Sequence, residues 1–130
     1  MDEAEPLQLP VVALAEMTHS LIGAYAQASG DANPIHADRD AARLIGLPDV
    51  PAHGMLVMGM TGRAFAEWFP GRTLRLWQAS FVEPVLPGER LHVRGCCGAE
   101  SLQPGNEIRG RMTVVNDSGR TKLSGLFVLI

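Results

Sequence analysis

The sequence predicts a single α+β domain, residues 1–130, in which an antiparallel sheet of about five strands wraps around one long helix. The segment from Gly54 to Phe69 has apolar residues around most of a helical circumference, so it predicts a buried helix. After it the apolar residues recur at every second position between turn sequences, which predicts strands. With 130 residues, 46% of them hydrophobic, the chain can fill one core and is too short for two domains.

The N-terminal part predicts one strand and two helices. Leu7 to Leu14 is short and apolar, as expected of a first strand. Thr18 is placed to cap a helix that Gly30 ends, because threonine favours the N-cap and glycine the position after a helix. Asp38 is placed to cap a second, shorter helix that ends at Gly46.

The long helix that follows ends at Pro70-Gly71. Gly59 and Gly62 within it each cost about 1 kcal/mol of helix propensity relative to alanine, which we interpret as close packing against a neighbouring element. Four strands then follow between Pro-Gly and Asn-Asp-Ser-Gly turns, at Thr73 to Val82, Glu89 to Ala99, Glu107 to Asn116 and Arg120 to Leu129. Five antiparallel strands around one helix form the arrangement known as the hot dog.

Three polar side chains share a short constrained loop between the first two helices. Pro34 lacks an N–H and pushes Asn33 into an extended conformation, so Asp31 and His36 do not lie on a helix. A carboxylate and an imidazole placed together suit proton transfer on a small substrate, and the amide can hold a water or one of the two side chains. The alternative is structural: Asp31 and Asn33 form Asx turns and His36 binds backbone.

The surroundings of this loop carry a longer motif. Ser29-Gly-Asp-Ala-Asn-Pro-Ile-His-Ala-Asp38 is followed by Ala41, Gly46 and then Ala52-His-Gly-Met-Leu56. This resembles the hydratase motif of the MaoC-like, (R)-specific enoyl-CoA hydratase and 3-hydroxyacyl dehydratase family, and the resemblance covers about residues 7–130. It implies the hot-dog fold and a hydro-lyase that works in fatty-acid or related acyl metabolism.

The resemblance also implies roles for the loop residues. Asp31 and His36 together would activate water for addition at the β-carbon of a trans-2-enoyl thioester and deliver the α-proton. Asn33 would hold the water or orient the pair. The product would be the (R)-3-hydroxyacyl thioester, and the reverse reaction would be dehydration.

The start of the long helix supplies the predicted substrate-binding residues. The backbone N–H of Gly54 is free at the first helical turn, where it can stabilise negative charge on a thioester oxygen. His53, Met55 and Met58 are assigned to substrate binding with it, although His53 has a structural alternative in which it only fixes the loop. Chain length would be set by a tunnel lined by Met58, Met60, Thr61, Phe65 and Trp77.

The net charge and the cysteine content limit the expected partners and location of the protein. A net charge of −3 argues against binding to nucleic acid, and the sequence contains no apolar run long enough to span a membrane. Cys96 and Cys97 are adjacent, which makes a poor disulfide, and the N-terminus does not resemble an export signal, so we expect a cytoplasmic protein.

No metal and no redox cofactor is expected, because this chemistry needs neither and the sequence has no Cys/His spacing typical of a metal site. Coenzyme A or an acyl carrier phosphopantetheine arrives as part of the substrate. Four arginines are candidates for contacts with the phosphates of that carrier: Arg63, Arg72, Arg75 and Arg90.

The edge strand of such a sheet has unpaired backbone groups, so it predicts that the chain associates with a second chain. An unpaired edge invites a second chain, so we expect a homodimer with a continuous sheet, or a heteromer with another hot-dog subunit. Two other functions remain open from the sequence: a hot-dog acyl thioesterase, which would direct water at the thioester carbonyl, and a non-catalytic subunit of a heteromeric dehydratase.

Overall fold

The computed structural model describes residues 6–130, and in these residues the chain forms four α-helices, two short 3-10 helices and six strands. The helices are α1 (His19–Ser29), α2 (Arg39–Leu44), α3 (Gly54–Met60) and α4 (Gly62–Trp68). The strands are β1 (Leu7–Gln8), β2 (Val12–Ala13), β3 (Leu74–Phe81), β4 (Leu91–Cys97), β5 (Ile108–Asn116) and β6 (Thr121–Leu129). The 3-10 helices are Pro34–His36 and Ala99–Leu102.

All strands belong to one antiparallel sheet in the order β1-β4-β5-β6-β3, with β2 also paired to β4. The core lies between its inner face and the pair α3 and α4. Phe65 of α4 packs edge-on against Trp77 of β3 at 5.6 Å and against Phe127 of β6 at 5.0 Å, measured between ring centroids. The predicted α+β class is confirmed, and so are the four strands predicted after the helix.

The prediction of one continuous N-terminal strand is wrong. Residues 7–14 form two short pieces, β1 and β2, because Pro10 lies between them and has no N–H to donate to β4. The Pro10 carbonyl turns instead to the helices, where it accepts a hydrogen bond of 2.7 Å from the indole N–H of Trp68. The sheet therefore has six strands, one more than expected.

The single helix predicted over Gly54 to Phe69 is interrupted. The backbone of Thr61 keeps right-handed helical angles, but its N–H and its hydroxyl both donate to the Met58 carbonyl, at 3.2 and 2.5 Å. This bonding to the third residue before, typical of a 3-10 helix, makes one turn of the chain tighter and separates α3 from α4.

The prediction that this segment is buried on all sides is also wrong. The sheet covers one face, and the other face is open: Met55 is 58% exposed. Gly59 and Gly62 have no heavy atom within 4 Å of the position that a Cβ would take, so they are not sites of close packing within this chain. The face against the sheet carries the buried residues Leu56, Val57, Ala64 and Phe65.

Candidate active site

The loop after α1 is built from local hydrogen bonds. The helix ends at Gly30, whose φ of 76° is a left-handed conformation that glycine adopts readily. One Asp31 carboxylate oxygen then accepts from the N–H of Asn33 at 3.1 Å, and the Asn33 side-chain oxygen accepts from the N–H of Ile35 at 3.2 Å. These two turns start the 3-10 helix that ends at His36. The predicted constrained loop is confirmed.

His36 is held by one of its ring nitrogens. Nδ1 donates to the Pro51 carbonyl oxygen at 2.6 Å, and the side chain is half-buried. Because a carbonyl oxygen can only accept, this bond places the proton of a neutral ring on Nδ1 and leaves a lone pair on Nε2. The turns and the backbone bond expected from the structural alternative are therefore present, and their effect is to orient Asp31 and His36.

His53 lies directly behind His36. The two rings stack at a centroid distance of 3.7 Å with an interplanar angle of 23°, and Tyr25 covers His53 from another side at 4.8 Å. His53 is 3% exposed, and neither of its ring nitrogens has a hydrogen-bond partner.

This environment keeps His53 neutral. Burial lowers the pKa of His53 below 6.5, and the neighbouring His36 lowers it further, while the charge of the Asp31 carboxylate opposes the shift less strongly. A neutral imidazole offers one N–H and one lone pair, so His53 can both donate and accept at the site.

The acid and the two imidazoles lie close to one another. One carboxylate oxygen of Asp31, one ring nitrogen of His36 and one of His53 all lie within 4.8 Å of one another. Two groups this far apart can share one water, because each hydrogen bond to it spans about 2.8 Å. The same residue types bind metals, but the His36 and His53 rings run nearly parallel, so their in-plane lone pairs do not converge on a single ion without one ring turning.

A cavity of about 370 Å³ opens onto these groups. Of the predicted site residues, Asp31, His36, His53, Gly54 and Met55 line it. The N–H groups of Gly54 and Met55 belong to the first turn of α3, where the helix itself supplies no acceptor.

Two predicted site residues lie elsewhere. Asn33 lines neither this cavity nor its neighbour, and its side chain caps the 3-10 helix. Met58 is half-buried and packs against the core. The structure therefore brings together the acid, the imidazoles and the helix start, and it leaves Asn33 and Met58 outside their cavity.

A second cavity of about 470 Å³ lies on the other side of His36 and Gly54. Its walls are mostly apolar and include Ile35, Ile45, Leu47, Val57, Phe81 and Val85. None of the residues predicted to line a tunnel, Met58, Met60, Thr61, Phe65 and Trp77, lines either cavity. That tunnel prediction is wrong because these side chains point to the core between α3–α4 and the sheet.

Asp49 connects the elements around the Pro51 carbonyl. Its carboxylate accepts from the N–H of Val50 at 2.7 Å and contacts His19 at the start of α1 (3.0 Å) and Arg39 at the start of α2 (3.3 Å). The bond from Val50 is the main reason that the pKa of Asp49 lies below 3.8, with His19 and Arg39 adding to it against burial. Asp49 thus fixes the segment that holds His36.

Sequence reasoning missed Tyr25, Asp49, Pro51 and Phe81. A backbone carbonyl such as that of Pro51 leaves no side-chain pattern in a sequence, and the contact of Phe81 with the site depends on how the sheet packs. Asp49 was visible only as one carboxylate next to Pro48, Val50 and Pro51.

The four candidate arginines do not line either cavity. Arg63 binds Glu67 and the Ala13 carbonyl, and Arg75 forms a salt bridge with Glu107. Arg72 donates to the Asn106 carbonyl at 2.5 Å, and Arg90 is exposed. Among the described residues, none of the helices is long and apolar enough to cross a membrane.

Comparison with known proteins identifies the family. The family model described as "MaoC like domain" matches residues 6–118. A mitochondrial 3-hydroxyacyl-[acyl-carrier-protein] dehydratase of Arabidopsis thaliana is 39% identical over 70 residues, which cover 54% of this chain and 42% of that protein. Four curated relatives matched by this chain are covered over only 4% to 42% of their own length.

Solved structures agree with the fold. The R-hydratase PhaJ1 from Pseudomonas aeruginosa superposes with a TM-score of 0.78 at 24% identity, over 99% of this chain and 81% of that one. A chain of the ChsH1-ChsH2 complex from Mycobacterium tuberculosis superposes with a TM-score of 0.80 at 20% identity, over 95% and 94%. With the family model matching most of its length, the chain belongs to the MaoC-like dehydratase family and has the hot-dog fold of that family.

Proposed function

We propose that this protein is an (R)-specific enoyl-thioester hydratase and dehydratase, which adds water reversibly to a trans-2-enoyl thioester and forms the (R)-3-hydroxyacyl thioester. One observation carries the proposal. Asp31 and His36 face one cavity within 4.8 Å of each other, with the Nδ1 of His36 committed to the Pro51 carbonyl. This leaves a carboxylate oxygen and the Nε2 lone pair to share a water.

The reaction follows from that arrangement. The pair of Asp31 and His36 removes a proton from water while the water oxygen bonds to the β-carbon, and the electron pair of the double bond moves toward the thioester oxygen. The Gly54 N–H stabilises the negative charge on that oxygen. The same pair then returns a proton to the α-carbon, so the sum is addition of one water, and the reverse sequence is dehydration.

The other site residues act around this pair. Asn33 orients it by capping the 3-10 helix that carries His36. His53, neutral and stacked on His36, binds the substrate as part of the cavity lining, and Met55 contacts the thioester at the cavity wall. Met58 acts on the substrate only through the packing of α3.

The carrier is coenzyme A or an acyl carrier protein, and no metal or redox cofactor takes part. The Arabidopsis relative is named for acyl carrier protein and supports the second carrier. Since β3 lies at the edge of the sheet, we propose a homodimer joined along this edge, or a heteromer. The neighbour that was solved as a ChsH1-ChsH2 complex supports the heteromer. The two free cysteines support a cytoplasmic location.

The test measures two signals on one enoyl thioester: loss of the conjugated absorbance and release of free thiol. Hydration removes the absorbance and releases no thiol, whereas a thioesterase releases thiol. We expect Asp31→Asn and His36→Ala each to lower the hydration rate by about 10²- to 10⁴-fold, because each removes a proton carrier.

Asp40→Asn is the matched control, because Asp40 is an exposed carboxylate on α2 that lines neither cavity. It should hydrate at the wild-type rate. Near-native hydration by both Asp31→Asn and His36→Ala would refute the mechanism, and thiol release as the main reaction would favour the thioesterase.

A further inference from the structure

Phe81 stands between the two cavities that meet at the candidate active site. The cavity of about 370 Å³ contains Asp31 and His53, and the cavity of about 470 Å³ is mostly apolar. Both are lined by His36, Gly54 and Phe81, and by no other residue in common. These three residues therefore form the boundary between the two spaces.

Only one of the three has a side chain without a hydrogen bond or a stacked ring among the described residues. His36 is bonded to the Pro51 carbonyl and stacked on His53, and Gly54 has no side chain. Phe81 is the last residue of the edge strand β3 and is 53% exposed. Its ring atoms lie 3.0 to 3.3 Å from the position that a Cβ on Gly54 would occupy, so the ring fills the space left by the glycine.

The chemistry of the two spaces differs in a way that matches the two ends of an acyl thioester. The smaller space holds the polar residues and the open helix start, which suit the thioester and its β-carbon. The larger space offers apolar walls from Ile35, Ile45, Leu47 and Val57, which suit a hydrocarbon chain. An acyl chain that reacts at His36 and extends into the apolar space must pass the Phe81 ring.

We propose that the Phe81 side chain is the movable partition that sets acyl-chain specificity, a proposal that rests on the proposed function. With the ring against Gly54, a four-carbon acyl group fits at the boundary, and a longer chain binds only after the ring rotates away. Rotation joins the two cavities, and the ring then covers the chain. The chain-length preference is therefore determined at the end of β3 and not at the far wall of the apolar cavity.

The test is binding of saturated acyl pantetheine thioesters, which need no turnover and carry the arm common to both carriers. We compare butyryl-pantetheine with octanoyl-pantetheine by calorimetry on the wild type, Phe81→Ala and Phe81→Leu. Removing the ring should raise the affinity for the octanoyl compound relative to the butyryl compound by at least about tenfold, because the chain no longer has to displace the ring. Phe81→Leu should give a smaller change in the same direction.

Leu102→Ala is the matched control, since Leu102 is an exposed apolar residue outside the edge strand β3 and lines neither cavity. It should keep the wild-type ratio of affinities. An unchanged ratio in both Phe81 variants, or no binding of either thioester by any variant, would overturn the proposal. Failure of hydration with the binding pattern intact would count against the proposed reaction alone.

Discussion

His36 shows how one backbone atom prepares a side chain for chemistry. The Pro51 carbonyl accepts from Nδ1 at 2.6 Å and thereby assigns the tautomer of the ring. His53 stacks on the same ring and restricts its rotation. Because burial lowers the pKa of His53, His53 stays neutral near pH 7 and adds no positive charge next to His36.

At the residue scale, Gly54→Val tests the placement of the thioester oxygen. The new Cβ would lie 3.0 Å from the Phe81 ring, and the two methyl groups beyond it would fill the approach to the Gly54 N–H. We expect at least about a hundredfold loss of hydration, the scale of losing one donor to a developing oxyanion. The steady-state rate on an enoyl thioester measures it.

Gly59→Val in the same helix is the control for that substitution. A Cβ there meets no heavy atom within 4 Å, so this variant should fold and turn over as the wild type does. Equal activity of the two variants would show that the thioester oxygen does not approach Gly54.

At the element scale, Asp49 links α1, α2 and the segment that carries the Pro51 carbonyl. Asp49→Ala removes the acceptor for Val50, His19 and Arg39 together. We expect kcat to fall about tenfold with a smaller change in KM, because the loosened segment holds Nδ1 of His36 less well, while Asp49 itself lines neither cavity. Asp49→Asn, which keeps an acceptor oxygen, should recover part of kcat.

The control for the Asp49 variants is Asp117, another aspartate that contacts a histidine. Asp117 binds His92 near the start of β4, and neither residue lines either cavity. Asp117→Ala should leave kcat unchanged. A loss in KM instead of kcat for Asp49→Ala would mean that the segment serves substrate binding and not the orientation of His36.

A second element-scale prediction concerns the buried cation of β6. Lys122 is 6% exposed and contacts the Glu89 carboxylate at 2.9 Å. Burial alone raises the pKa of Glu89, but hydrogen bonds from Lys122, the Leu86 N–H and Asn116 outweigh it, so the pKa lies below 4.5. Glu89→Gln should lower the free energy of unfolding by about 2 kcal/mol at pH 7.

The sign of the pKa shift sets the pH dependence of that loss. A carboxyl whose pKa is lower in the folded state stabilises the fold above its unfolded value, here 4.5, and this stabilisation disappears as the pH falls through the folded value. Urea unfolding should therefore show a difference in the free energy of unfolding between wild type and Glu89→Gln at pH 7, and this difference should narrow as the pH falls below 4.5. Glu67→Gln, which removes an exposed salt bridge to Arg63, should change the free energy of unfolding by no more than about 0.5 kcal/mol, both at pH 7 and at acidic pH.

The elements were predictable where local chemistry determines them. Thr18, Gly30 and Asp38 cap their helices as expected, because each cap depends on hydrogen bonds within a few residues. The break at Thr61 was not predictable, since a hydroxyl that bonds the previous turn leaves no change in apolar period. For the site, the sequence brought Asp31 and His36 together, but the approach of Phe81 to Gly54 arises only from tertiary packing.

At the scale of the whole molecule, strand β3 is an edge of the sheet that a second chain can pair with. Among the described strands, edge strand β3 pairs with β6 alone, and it carries partly exposed apolar side chains, including Leu74 and Leu76. A second hot-dog chain added along β3 would pair its free backbone groups and cover these side chains. The functional unit we expect to test is therefore the oligomer as purified, not a dissociated chain.

The most direct test of the proposed reaction is to measure hydration of enoyl thioesters by the purified oligomer. Crotonyl and trans-2-octenoyl thioesters, each on coenzyme A and on acyl carrier protein, are followed by loss of the enoyl absorbance, and the product is resolved on a chiral column. We expect hydration of at least the crotonyl thioester, with the (R)-3-hydroxyacyl product. No hydration on either carrier, or an (S) product, would contradict it.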